Sequence, residues 1–262
     1  MELDDAYANA AHIPDGASYP GRWACAAETF RAQAKSEIDL IYGPSLRQRL
    51  DIFYPDDAVK GLVVFVHGGY WLRFGKSDWS HLAAGPLAHG WAVAMPSYDL
   101  CPHVCIAEIG RQIATAIDFA AGRVSGPIRL VGHSAGGQLV ARIGAAPGMA
   151  VWKDRLAGIV PISPVADLAP LMRTSMNADL RIDAAEAAAE SPLHLPAPKA
   201  EVTVWVGGDE RPAFLDQANA LGAAWGCAQV IEPKRHHFDV VTGLERSDSG
   251  LTLAVVGRKD TV

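Results

Sequence analysis

The chain has little of what marks several large protein classes. Its 262 residues include only four cysteines, Cys25, Cys101, Cys105 and Cys227, too few and too scattered for a disulfide scaffold. Cys101, His103 and Cys105 stand close together, but their spacing matches no common zinc pair. No second Cys/His pair follows nearby to complete four ligands, so no metal is expected. Basic residues are in the minority: 23 Lys plus Arg face 29 Asp plus Glu, a formal net charge of −6. That balance argues against a nucleic-acid partner, whose phosphates need a basic face. No apolar run approaches the roughly 18 residues of a membrane span, so no membrane partner is expected. The opening MELDDAYANA is acidic where a secretory leader is basic and then apolar, which leads us to expect a cytoplasmic protein. Internal repeats and low-complexity tracts are also lacking.

What is present is a half-hydrophobic chain long enough to bury one large core, read as a single domain over residues 1–262. Residues 1–35 have weak periodicity and read as an arm with one short helix. Two strand-like runs, Glu37–Tyr42 and Arg49–Tyr54, flank the turn residues Gly43-Pro44-Ser45 and predict an antiparallel edge. Leu62–Val66 is apolar at every position, the signature of a central strand covered on both faces. Strand candidates then recur at Trp91–Met95, Pro127–Val131, Ile159–Ile162, Val202–Val206 and Ala228–Ile231. Helical spacing fills Val104–Ala121, Gln138–Ala146 and Ala213–Trp225, and Thr242–Val256 holds helical turns. Strands alternating with helices predict an α/β fold with a mostly parallel, doubly wound sheet. Residues 164–198 interrupt the alternation with an Ala- and Pro-rich stretch, helical over Asp183–Glu190, read as a small lid over the strand ends.

The strongest local signal is Gly132-His133-Ser134-Ala135-Gly136. With 13 serines and 25 glycines, a G-x-S-x-G is expected by chance in roughly 0.1 chains of this size, so context has to carry the motif. Ile128–Val131 supplies a strand before it and Gly137–Ile143 a helix after it. That strand-to-helix turn is where a nucleophilic serine is lifted clear of a sheet. A glycine-rich turn with an incidental serine is the competing reading. A hydroxyl needs a base to take its proton and a carboxylate to orient that base. Gly207-Gly208-Asp209-Glu210 follows one later strand, and Glu232-Pro-Lys-Arg-His236-His237-Phe238-Asp239 follows the last, which is the chain order Ser, acid, His. His67-Gly68-Gly69-Tyr70-Trp71 follows the central strand. There the Gly69 and Tyr70 amides, with that of Ala135, are candidates to hold an oxyanion. His67 and His133 read as bracing residues.

On these residues the chain resembles the α/β-hydrolase fold family, in its kynurenine formamidase (arylformamidase) and esterase branch. The most selective piece is His67-Gly-Gly-Tyr-Trp71. Tyr98-Asp-Leu-Cys-Pro102, Gly132–Gly136, Asp167-Leu168 with Pro170, His237-Phe-Asp239 and the arm's Tyr7-Ala-Asn9 and Ile13-Pro-Asp15 are also similar to that branch. The resemblance implies Ser134 as nucleophile and His237 as base, with His236 as the alternative. For the acid it favours Glu210, four residues before Phe214 and seven before Gln217, with Asp209 kept as the second candidate.

The activity implied is hydrolysis of a small ester or aryl formamide through an acyl-enzyme, N-formylkynurenine being the reaction's named substrate. A carboxylesterase or thioesterase would use the same parts, and a non-catalytic ligand-binding relative is the reading from another class. The partner is a small acyl compound, no cofactor is called for, and oligomeric state is left open. Trp71 and Phe74, beside the presumed oxyanion loop, are candidates to stack an aryl group or simply to pack the loop. Arg173, Asn177, Asp179 and Arg181 are the lid's polar candidates for a charged substrate head.

Overall fold

Eight strands form one sheet among residues 1–146 and 150–257, which the computed structural model describes. In chain order they are β1 (Ser36–Ile41), β2 (Arg49–Phe53), β3 (Gly61–Val66), β4 (Trp91–Pro96), β5 (Ile128–His133), β6 (Leu156–Ile162), β7 (Glu201–Gly207) and β8 (Ala228–Glu232). They lie side by side as β1-β2-β4-β3-β5-β6-β7-β8. β2 runs antiparallel to both β1 and β4, and every other pairing is parallel. The antiparallel edge and parallel body are those expected from the sequence, because the seven residues 42–48 between β1 and β2 are too few to carry a crossover helix.

Helices α1 (Tyr19–Arg31), α2 (Ala84–Ala88), α3 (Ile106–Arg123), α4 (Ala135–Ala145), α5 (Asn177–Leu180), α6 (Ala184–Glu190), α7 (Pro212–Trp225) and α8 (Gly250–Val256) complete the fold. β3 and β4 are buried along their whole length, so their side chains feed two cores alternately. Leu62, Val64 and Val66 join the core filled by α3, α4 and α7. Val63 and Phe65 join the one filled by Trp23 of α1, Trp79, Leu82 and the Leu251 and Val255 pair of α8. α3 forms because Ile106, Ile109, Ile113 and Ile117 recur on one buried face. α7 starts on Pro212 and stops at Gly226, whose left-handed backbone suits a helix end.

Two regions depart from expectation. The arm is more ordered than its periodicity implies: three 3-10 turns at residues 5–7, 9–12 and 16–18 lead into the thirteen-residue α1. Tertiary contact supplies what periodicity did not, with Trp23 packed 4.6 Å from Trp79 between ring centroids. The helix after Ser134 starts at Ala135, three residues before the predicted Gln138, since glycines that weaken an isolated helix are tolerated where they pack closely. In the 164–198 stretch α6 falls where expected, capped by the Asp183 carboxylate accepting from Glu186 N at 2.8 Å.

Candidate active site

β5 ends at a sharp turn into α4. Ser134 has φ 56° and ψ −115°, a conformation that L-residues adopt only when the surroundings enforce it. The glycines on either side are dictated by distance. A Cβ on Gly132 would lie 2.2 Å from the Gly136 oxygen, and one on Gly136 2.0 Å from the Val66 oxygen. Ser134 N donates to Ile162 O at 2.8 Å, which ties the turn to β6. The serine is nearly buried yet borders a cavity of about 620 Å³.

The loop after β7 brings Glu210, not Asp209, to the histidine. Glu210 Oε2 accepts from His237 Nδ1 at 2.6 Å, while Oε1 accepts from Gly207 N at 2.9 Å and from the Ser163 hydroxyl. Both partners are buried, and three donors on one carboxylate keep it oriented. Asp209 is exposed, with its amide donating to Arg235 O. His236 is committed elsewhere: its Nε2 bonds the Tyr19 hydroxyl at 3.0 Å and its Nδ1 accepts from Phe238 N and Asp239 N. His237 lines the same cavity as Ser134 and packs against Phe214, with ring centroids 4.2 Å apart. Among the described residues no hydrogen bond joins Ser134 Oγ to His237 Nε2, although both residues line the same cavity.

The other two histidines brace these loops. His133 Nε2 donates to the carbonyl of His237 at 2.9 Å, linking the serine turn to the histidine loop. Burial, and then the neighbouring His237, hold His133 far below the ordinary imidazole range, so it stays neutral. His67 Nδ1 donates to Gly68 O, its ring stacks on Tyr98, and burial lowers its pKa to about 4.

After β3 the backbone turns left-handed at Gly69, Tyr70 and Trp71, with φ of 110°, 53° and 56°. Among the described residues the amides of Gly69 and Tyr70 have no acceptor, nor does that of Ala135 at the first turn of α4. Gly68 lets this loop approach the serine: a Cβ there would lie 2.8 Å from His133 O. The same turning separates two aromatic candidates. Phe74 lines the cavity. Trp71 does not: it is fully buried and donates to Gln138 Oε1 at 3.2 Å, which removes it from the substrate pocket.

About half of the cavity wall comes from the arm, including Tyr7, Asn9, Ala10, Gly16 and Trp23. From the 164–198 stretch only Ser175 and Met176 reach it. Arg173, Asn177, Asp179 and Arg181 lie off the cavity. Arg173 pairs with Glu2, and Asn177 closes its own loop onto Ile182. The arm's part was missed because its side chains follow no period, and the signal it offered was the resemblance of Tyr7-Ala-Asn9 and Ile13-Pro-Asp15. Phe214 and Gln217, markers of register in the sequence, have physical roles. Phe214 packs on His237, and Gln217 bonds both Asp167 and the Tyr7 hydroxyl. Among the described residues no group of three His, Cys, Asp or Glu could hold a metal, and no helix is long and apolar enough to cross a membrane.

Known proteins resemble this chain in sequence and in fold. In sequence the chain is similar to the kynurenine formamidase of Salmo salar, 28% identical over 249 residues covering 86% of this chain and 82% of that protein. It is also similar to the kynurenine formamidase of Drosophila melanogaster, 29% identical over 212 residues covering 77% and 67%. Among solved structures it is similar to a Silicibacter sp. protein provisionally described as a thioesterase, at 52% identity and TM-score 0.95, over 98% and 99% of the two chains. Esterase B from Lactobacillus rhamnosis shares the fold at 16% identity and TM-score 0.68, over 91% of each chain. Residues 63–260 match the model of the alpha/beta hydrolase family, and the chain belongs to that family, on its arylformamidase and esterase side.

Proposed function

We propose that Ser134 is the nucleophile of this hydrolase of small esters or formamides, acting through an acyl-enzyme. Ser134 Oγ attacks the carbonyl carbon and its proton passes to His237 Nε2. Glu210, bonded to Nδ1, stabilises the imidazolium that forms. The carbonyl oxygen becomes an oxyanion received by the amides of Gly69, Tyr70 and Ala135, which are already fixed and unpartnered. Collapse expels the leaving alcohol, thiol or amine with the proton held by His237, and water then releases the acyl group by the same steps.

The observation that carries this reading is the 2.6 Å His237–Glu210 pair, whose histidine lines the same cavity as a serine held in a positive-φ turn. Phenylmethylsulfonyl fluoride should inactivate the protein and add its mass to Ser134 alone. Labelling elsewhere, or no labelling, overturns the proposal.

Substrate follows from the wall and from the relatives. Tyr70, Phe74 and Phe238 give the cavity aromatic surface suited to an aryl leaving group. The kynurenine formamidase relatives favour an aryl formamide such as N-formylkynurenine, and the Silicibacter protein favours a thioester as the second reading. Turnover of N-formylkynurenine compared with p-nitrophenyl esters and acyl thioesters decides between them. Formamide turnover several decades slower than ester turnover removes the formamide reading and leaves the hydrolase intact. Four free thiols, two of them exposed, suit the reducing cytoplasm in which we place the enzyme.

A further inference from the structure

Asn9, with Trp79 and His133, is one of three residues of the cavity wall that carry a buried polar atom without a partner among the described residues. It sits on the 3-10 turn over residues 9–12, is only 5% exposed, and borders the space that holds Ser134 and His237. Its orientation follows from proton counting. The Tyr70 hydroxyl has one proton and donates it to Tyr7 O at 2.8 Å. Toward Asn9, at 3.4 Å, that hydroxyl can therefore only accept, so Asn9 presents Nδ2–H to it. Asn9 Oδ1 is left pointing elsewhere, buried and without a donor among the described residues. A buried carbonyl oxygen with no partner is costly, and a ligand that brings a donor removes the cost. Nearby walls contributed by Trp23, Phe74 and Phe238 offer apolar surface, so this acceptor stands out as a point of selection.

We infer that Asn9 is a specificity-determining residue whose Oδ1 accepts a hydrogen bond from an N–H or O–H group on the aryl leaving group of the substrate. The inference rests on the reading of Ser134 as nucleophile for a small acyl group, which leaves the cavity's volume to the leaving group. A site that hydrogen-bonds a substrate donor discriminates against the analogue lacking it, because the buried acceptor then stays unpaired.

The test is a matched panel: the three hydroxyphenyl acetates against the three methoxyphenyl acetates, scored as the ratio of kcat/KM within each positional pair. The native protein should prefer at least one hydroxy isomer by about tenfold, the size of one net hydrogen bond. Asn9→Leu should bring that ratio to about 1, and Asn9→Asp, which keeps an acceptor in place, should preserve it. Ratios taken within one variant are insensitive to any general change in its activity. Ratios near unity for every isomer in the native protein overturn the inference. So does a preference that survives in Asn9→Leu or vanishes in Asn9→Asp. Hydrolysis of all esters without preference refutes Asn9 alone, whereas hydrolysis of none refutes the reading of Ser134 beneath it.

Discussion

The first twenty residues of the arm and the stretch of residues 164–198 are alike in composition and unlike in position. Both are rich in Ala and Pro, and both are broken into short turns. Yet the arm builds much of the cavity wall, and the later stretch mostly holds the arm. Leu3 N donates to Arg173 O, Asp4 accepts from Ser175 N, and Glu2 pairs with Arg173. The arm in turn reaches the loops around Ser134 and His237: Tyr7 O receives the Tyr70 hydroxyl, and the Tyr7 ring meets Phe214, which packs on His237. Covering a site and shaping it are separate tasks, and here the segment farther away in sequence does the shaping.

Several measurements would sharpen or break that contrast. The scale is set beneath both segments, where Ser134→Ala should lower kcat/KM for aryl esters by about 10⁴ or more. Glu210→Gln should cost about 10³ to 10⁴ by freeing the histidine's tautomer and orientation, while Asp209→Asn should stay within about twofold. Equal losses at the two acids would refute the assignment of Glu210.

Acid should separate the buried floor from the arm. His67 has its pKa lowered by burial from 6.5 to about 4, so the unfolded chain binds a proton there that the folded one refuses. Its stabilisation is complete above pH 6.5 and declines as pH falls toward 4, by on the order of 3 kcal/mol. His133, also held low by burial, adds to the same trend. The half-buried Asp4 and exposed Asp5 are lowered instead by their partners, first the Met1 ammonium for Asp4 and His12 for Asp5. Their contacts therefore persist until pH drops below the ordinary 3.8. Denaturant unfolding should weaken first, between pH 6.5 and 4, and faster amide exchange confined to the arm should follow below that. Arm exchange that rises near neutrality would reverse this order.

Within the contrast itself, Tyr7→Ala should destabilise the fold by about 3 kcal/mol, since it empties a buried aromatic site beside Phe214. Arg173→Ala removes an exposed ion pair with Glu2 and should change stability by no more than about 0.5 kcal/mol. Thermal or urea unfolding of both variants checks the pair. A larger effect at Arg173 would make the 164–198 stretch the controlling element after all.

Much of the fold was legible because its signals are local. Leu62–Val66 is apolar on both faces, and Ile106 to Ile117 repeats at helical spacing, so neither needs a partner to declare itself. The serine turn was legible from its glycine pattern: Gly132 answers a local clash, 2.2 Å from Gly136 O, while Gly136 answers one 2.0 Å from Val66 O on β3. Trp71 and Phe74, three residues apart on a left-handed loop, were not separable by pattern, and only the coordinates send one into the core and the other to the cavity. The arm was opaque because its burial is imposed by distant partners such as Trp79, Tyr70 and Gln217.

The amino-acid order alone determined the sheet, the strained serine turn and the set of acid and histidine candidates, since these depend on periodicity and on steric limits within a few residues. Tertiary structure decided which neighbour in Asp209-Glu210 and in His236-His237 meets the other, and which segment walls the cavity. Those outcomes turn on where loops from separate strands point in space, and adjacent residues of one loop point in different directions.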